Sequence, residues 1–213
     1  MTPFGRTFAA ILFDLDGTLV DSTAAVERSW RRWAAEFGVY MPELPHGLPS
    51  RDTVARSLPA DRLEVGAQYI EDLELTDTEG VIALPGAREA LVALSGGSAA
   101  IVTSCTAALA TARLRAADLT PPDIVVTADQ LRRGKPDPEG YLLAAHRLGL
   151  DPADCLAIED APGGLAAATA AGCATVALTT TTAASDLVAD AVIGTLADLE
   201  LLRTVDGVFV HAC

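Results

Sequence analysis

The stretch FAAILFDLDGTLVDS, Phe8 to Ser22, decides how the chain reads. Phe8 to Phe13 is a short apolar run of the length expected for a strand buried on both faces. It ends in two carboxylates, Asp14 and Asp16, followed by Gly17. Side chains two apart on an extended segment point the same way, so the aspartates share one side, and the glycine lets the backbone turn sharply beside them. Such a pair, met alone, most often caps a turn. Like charges this close otherwise need a cation.

Outward from this stretch, further apolar runs rich in β-branched residues read as buried strands: Ala100 to Thr103, Ile124 to Thr127, Leu156 to Ile158 and Thr175 to Leu178. Between them lie helical patterns at Ala87 to Leu94, Ala107 to Ala117, Glu139 to Leu148 and Gly163 to Ala171. Strand and helix in alternation predict an α/β fold with a parallel sheet covered on both faces, and such sheets bind ligands at the carboxyl ends of their strands. The residues at those ends are Thr103 and Ser104, then Arg133-Gly134-Lys135-Pro136-Asp137-Pro138, then Glu159 and Asp160 before Gly163-Gly164. Thr103 and Ser104 offer hydroxyls and backbone N–H groups where a helix begins, which suits an anion and equally suits a plain N-cap. Lys135 is the one lysine in the chain, against fourteen arginines. Codon bias with one survivor accounts for that count, but a lysine fixed between glycine and proline also suits a phosphate or carboxylate cluster as a compact point charge. The carboxylates at the strand ends make an oxygen-rich set suited to a hard cation such as Mg²⁺.

From about Leu19 to Ile82 the alternation stops. Val26, Trp30, Trp33 and Phe37 fall at helical spacing, Ser50 is an N-cap candidate for a helix over Arg51 to Leu58, and a third helix is expected from about Ala60 to Leu75. This predicts an all-helical insertion, 19–82, in a core made of 1–18 and 83–213, hinged near Thr18 to Ser22 and Thr76 to Leu84. The two tryptophans are expected to pack the insertion. The 213 residues fit one domain with such an addition. A net charge of -14 leaves no basic surface for a polyphosphate backbone, so nucleic acid is not an expected partner. The early apolar run is cut at Asp14, so neither a secretory signal nor a membrane span is expected, and a cytoplasmic location is. Cys105, Cys155, Cys173 and Cys213 are widely spaced and are expected to be free, mostly buried thiols.

Four blocks in order, DLDGTLVDS at Asp14 to Ser22, IVTS at Ile101 to Ser104, RGKPDP at Arg133 to Pro138 and IEDAPGG at Ile158 to Gly164, resemble the haloacid dehalogenase-like hydrolase superfamily. The resemblance implies a Rossmann-like three-layer α/β/α core and makes the insertion a small helical cap domain. It implies that Asp14 is a nucleophile forming an aspartyl-phosphate and that Asp16 is general acid and base. Thr103 would hydrogen-bond the transferring phosphoryl group, and Lys135 would bridge Asp14 and phosphate oxygens. Mg²⁺ would be ligated by Asp14, Asp160 and the Asp16 main-chain carbonyl, with Glu159 supporting that site directly or through water. Dehalogenases lack an acid at the position of Asp16, phosphonate hydrolases have Ala there and ion-pumping ATPases Thr, so phosphate-ester chemistry is implied.

Similarity to bacterial sugar phosphatases and glycerol-3-phosphate phosphatases runs through AVERSW at Ala25 to Trp30, His46-Gly47, TEGVIALPGA at Thr78 to Ala87 and the IVTS and EDAPGG blocks. It implies a small phosphorylated sugar or polyol as substrate, bound with help from Ser104, His46, Gly47 and Arg51. Relatives often carry a basic residue just after the His-Gly pair. Here Leu48 and Pro49 follow, and Arg51 is the nearest cation. Cys105 stands where relatives commonly have Gly, as a small packing residue or an oxidisable thiol. His146 and His211 carry no functional signal. β-Phosphoglucomutase-like proteins share the four blocks but usually place His where this chain has Val26, which favours hydrolysis over phosphoryl shuttling; an idle phosphosugar-binding protein is the third alternative. A monomer or weak homo-oligomer is expected.

Overall fold

A computed structural model describes residues 2–41 and 49–213. In chain order the elements are β1 (Arg6–Phe8), β2 (Ala10–Phe13), β3 (Val20–Asp21), α1 (Thr23–Phe37), α2 (Ser50–Ser57), α3 (Leu63–Thr76), β4 (Ile82–Ala83), α4 (Ala87–Ala93), β5 (Ala99–Val102), α5 (Ala107–Ala116), β6 (Ile124–Val126), α6 (Glu139–Leu148), β7 (Cys155–Glu159), α7 (Pro162–Ala171), β8 (Ala174–Leu178), β9 (Ala191–Ile193), β10 (Leu199–Thr204) and β11 (Gly207–Ala212).

Six strands form one sheet in the order β6-β5-β2-β7-β8-β9, and every neighbouring pair is parallel. The alternation along β2 explains the layers. Ile11 and Phe13 pack on the side of Leu91, Leu109 and Leu114 from α4 and α5, whereas Ala10 and Leu12 pack on the side of Tyr141, Ala144 and Ala168 from α6 and α7. A strand so covered has no solvated face, which is why its sequence is a continuous apolar run rather than an alternating one. The expected three-layer α/β/α core is what the chain builds.

Two parts of the core depart from expectation. The run from Phe8 to Phe13 is not one strand: the chain leaves one sheet after Phe8 and enters another at Ala10, and β1 pairs instead with β11 in a three-stranded antiparallel sheet ordered β1-β11-β10. The hairpin β10–β11 is an addition to the expected core. It packs Leu201, Val208 and Val210 into the core beside α4 while Glu200, Leu202 and His211 remain outside.

The insertion is helical as expected. Trp30, Trp33, Val54, Leu58, Ile70 and Leu73 form its own apolar cluster. Trp33 stacks on Phe37 with ring centroids 5.0 Å apart and donates its indole N–H to the Gly66 carbonyl at 2.8 Å. Both tryptophans therefore pack the cap, although Trp30 also reaches the cavity beneath it. The chain enters and leaves side by side, with Val20 opposite Ala83 and Asp21 opposite Ile82. Ser50 is the first residue of α2 and not its cap, a place held by Pro49; its hydroxyl is drawn to the carboxylate of Glu74, at 3.1 Å. No helix among the described residues is long and apolar enough to cross a membrane.

Candidate active site

The parallel sheet delivers its strand ends to one place. Asp14 follows the last residue of β2, Thr103 follows β5, Glu159 ends β7 and Asp160 follows it. Lys135 arrives from the segment between β6 and α6, and its ammonium pairs with both Asp14 and Glu159. All five side chains are buried. Cap and core together enclose a cavity of about 400 Å³ whose lining includes Asp14, Asp16, Thr103, Ser104, Arg51 and Asp160. Of the residues expected to bind substrate, His46 and Gly47 lie outside the described residues. Arg51 is at the cavity but forms an exposed ion pair with Glu64 at 2.7 Å.

Two glycines are required by close approach. Gly17 has φ +85, a region that side chains with a Cβ rarely adopt, and a Cβ there would run into the Asp160 carboxylate. A Cβ on Gly164 would meet the Glu159 carboxylate. The carboxylates are thus pressed against bare backbone, and their orientation follows from it. Asp160 is further held by the hydroxyls of Thr18, at 3.3 Å, and Thr181. Glu159 takes Lys135 and the Tyr141 hydroxyl, at 2.8 Å, on Oε1, and the backbone N–H groups of Asp160 and Ala161 on Oε2.

The electrostatics follow from burial. Desolvation, then the charge of Glu159, holds Asp14 well above the ordinary carboxylate range, with Lys135 pulling the other way. The same two causes push Asp160 up to about 7. Burial works against the Lys135 ammonium, but Asp14 and Glu159 outweigh it and keep the charge on the amine. One atom each from Asp14, Glu159 and Asp160 lie within 4.8 Å of one another. Three hard carboxylate oxygen donors with one ammonium among them form a set short of positive charge, which a divalent cation fits.

Several contributors escaped the sequence. Arg113 is buried on α5 and pairs with Asp16 and with Glu74 of the cap. Its signal was position: Leu109, Ala110, Arg113 and Leu114 share the buried face of α5, and an arginine there needs partners. Tyr141 and the Thr180–Thr181 pair gave no comparable sign. The helix after Thr103 and Ser104 starts at Ala107 as expected, with Thr106 as its N-cap, so those two residues lie in the turn preceding it and do not cap it. Cys105 is buried, and desolvation pushes its thiol well above its ordinary value; the S–H donates to Asp16 Oδ2 at 2.9 Å. A thiol held protonated in this way is less reactive toward oxidants.

Comparison with known proteins agrees with this geometry. Residues 11–178 match the family described as haloacid dehalogenase-like hydrolase. The chain is 43% identical over 175 residues to hexitol phosphatase A of Escherichia coli (strain K12), covering 78% of this chain and 81% of that protein. It is 32% identical over 197 residues to glycerol-1-phosphate phosphohydrolase 1 of Saccharomyces cerevisiae, covering 84% and 78%. Among solved structures, a hydrolase from Pseudomonas syringae superposes with a TM-score of 0.79 at 28% identity, covering 89% of this chain and 95% of that one. Four strand ends converging on one lysine and three carboxylates, with a family match running from β2 to the end of β8, identify the chain as a member of the haloacid dehalogenase-like hydrolases.

Proposed function

We propose that the protein is a Mg²⁺-dependent phosphatase that hydrolyses small phosphorylated sugars or polyols through an aspartyl-phosphate intermediate. The observation that carries this reading is Lys135, the single lysine, buried between Glu159 and Asp14, the latter lining the cavity between cap and core. The names of the curated relatives, a hexitol phosphatase and a glycerol-1-phosphate phosphohydrolase, supply the substrate class.

Asp14 and Asp160, with the Asp16 main-chain carbonyl and with Glu159 in support directly or through water, would hold Mg²⁺, which when bound supplies the positive charge that lets a phosphate dianion enter among carboxylates. Asp14 attacks phosphorus, and the bond from phosphorus to the substrate oxygen breaks. Asp16, at the cavity wall, gives its proton to that departing oxygen. It then takes a proton from the water that hydrolyses the aspartyl-phosphate, which restores Asp14. Lys135 steadies the charge on the transferring oxygens, and Thr103 with neighbouring backbone N–H groups hydrogen-bonds them. Glu159, tied to Lys135 and Tyr141, keeps the ammonium aimed at Asp14. Ser104 and Arg51 line the space left for the rest of the substrate, where His46 and Gly47 are also proposed to act. Val26 lines the same space where a mutase would need an acid–base group, which favours release of free phosphate over transfer within the substrate.

A panel of phosphorylated hexitols, hexoses and glycerol tests this. Phosphate release is expected with Mg²⁺ and is expected to stop in excess EDTA. Interconversion of sugar-phosphate isomers without free phosphate would point to a mutase, and binding without turnover to an idle relative.

Cation binding is expected to depend on pH. Asp14 and Asp160 both stand above their unfolded values, so the cation-free folded state holds protons more tightly than the unfolded chain, and its stability falls as pH rises through that interval. A cation replaces those protons. Saturating Mg²⁺ is therefore expected to raise Tm by roughly 3–5 °C at about pH 8 and by much less at about pH 5. Equal shifts at the two pH values would contradict the assignment of these carboxylates.

A further inference from the structure

We propose that Arg113 is a positioning residue for Asp16, and that Glu74 of the cap completes the arrangement, so that docking of the cap and alignment of the acid are coupled. The inference rests on the reading of Asp16 as the acid–base group.

The geometry is specific. Arg113 projects from α5 with its side chain 6% exposed. Nη1 pairs with Asp16 Oδ2 and donates to the Cys105 sulfur at 3.2 Å, while Nη2 donates to Glu74 Oε1 at 3.0 Å. Glu74 lies on α3, in the cap, where its other oxygen accepts the Ser50 hydroxyl. Asp16 Oδ1 accepts the Ser22 hydroxyl at 2.7 Å. The Asp16 carboxylate is thus fixed from the protein side while it remains 26% exposed at the cavity. One guanidinium therefore grips a carboxylate of the core and a carboxylate of the cap through different nitrogens.

Stability alone gives little reason for this arrangement. A buried arginine–carboxylate pair such as Arg113–Glu74 is often no more stabilising than apolar residues of the same volume, because desolvation of the charges offsets their attraction. Leu109 and Leu114 on the same face of α5 show that an apolar side chain suits that surface. What an apolar residue would not supply is direction. The rigid guanidinium aims one nitrogen at Asp16 Oδ2 and the other at Glu74 Oε1 in a fixed relative direction, and a lysine, with one rotatable ammonium, would not grip both acids in the same way. If the cap lifts, Glu74 departs with α3 and Arg113 loses one of its two anchors.

The test uses leaving groups. Glycerol 1-phosphate releases an alkoxide that needs a proton, whereas p-nitrophenyl phosphate releases a stable phenolate that does not. The ratio of their kcat/KM values isolates the step in which Asp16 donates, because hydrolysis of the aspartyl-phosphate is common to both. Arg113→Lys is expected to lower kcat/KM for glycerol 1-phosphate by about 20-fold or more while lowering it for p-nitrophenyl phosphate less than about threefold, a loss within the range of general acid catalysis. Glu74→Gln, nearly isosteric, is expected to move the ratio in the same direction by less. An unmoved ratio in both variants would overturn the proposal, and in a poorly folded Arg113→Lys the Glu74→Gln result alone decides. Asp16→Asn separates the two levels. If that variant leaves the ratio unchanged, the role of Asp16 itself fails; if it shifts the ratio while Arg113→Lys and Glu74→Gln do not, only the role of Arg113 fails.

Discussion

Asp14→Asn is expected to lower phosphate release from a polyol phosphate by a factor of about 10⁴ or more, because an amide oxygen in the same place carries no charge to attack with. The change is isosteric, so the fold is expected to hold. In the cation-free protein burial and Glu159 already make the ionised form of Asp14 unfavourable. A neutral side chain there is therefore expected to leave Tm at about pH 8 unchanged or raised. Rapid quench followed by mass spectrometry adds a direct readout: the wild type should carry a phosphoryl increment during turnover and the variant none. Turnover within about tenfold of wild type would remove Asp14 from the role of nucleophile.

How far the sequence revealed this site depends on where each residue stands. Asp14, Thr103, Glu159 and Asp160 could be found because each terminates an apolar run, and a parallel sheet brings all such ends to one edge. Lys135 could be found because it is unique and pinned between Gly134 and Pro136. Arg113, Glu74, Tyr141 and Thr181 could not, because their roles exist only through partners distant in sequence: Arg113 meets Glu74 across 39 positions and Thr181 meets Asp160 across 21. Periodicity shows which face of a helix is buried, but not which charged residue will find a counter-charge there.

The fold shows the same division. Strands buried on both faces appear as unbroken apolar runs, and five of the six strands of the parallel sheet were legible that way. β10 and β11 expose one side, where Glu200, Leu202 and His211 lie, and both strands carry polar residues, so neither reads as an unbroken apolar strand. The loop between the strands is Val205-Asp206, and Gly207, the first residue of β11, follows it at φ +137. The break at Ala9 was not legible, because Phe8 and Ala10 are equally apolar and only their pairing partners differ.

Lys135→Met carries the second large effect, and it tests the electrostatic balance of the site apart from the nucleophile. With the ammonium gone, nothing opposes the negative charge of Asp14 and Glu159 from that side, and the transferring phosphoryl oxygens lose a charged donor. A fall of about 10²- to 10³-fold in kcat is expected, the size associated with losing one preorganised donor in a closed site. Stability should fall too, by about 3–5 kcal/mol at about pH 8 without cation, since removing one partner leaves buried carboxylates unpaired. The pH dependence separates this cause from simple loss of packing. Lys135 lowers both Asp14 and Asp160, so its removal raises them further above their unfolded values. The folded variant then binds protons more tightly than the unfolded chain over a wider interval, and its deficit relative to wild type shrinks as pH falls from about 8 to about 5. Urea unfolding at the two pH values measures this directly. A deficit that stays constant would mean that Lys135 acts by filling space, and the charge balance drawn around Asp14, Glu159 and Asp160 would be wrong.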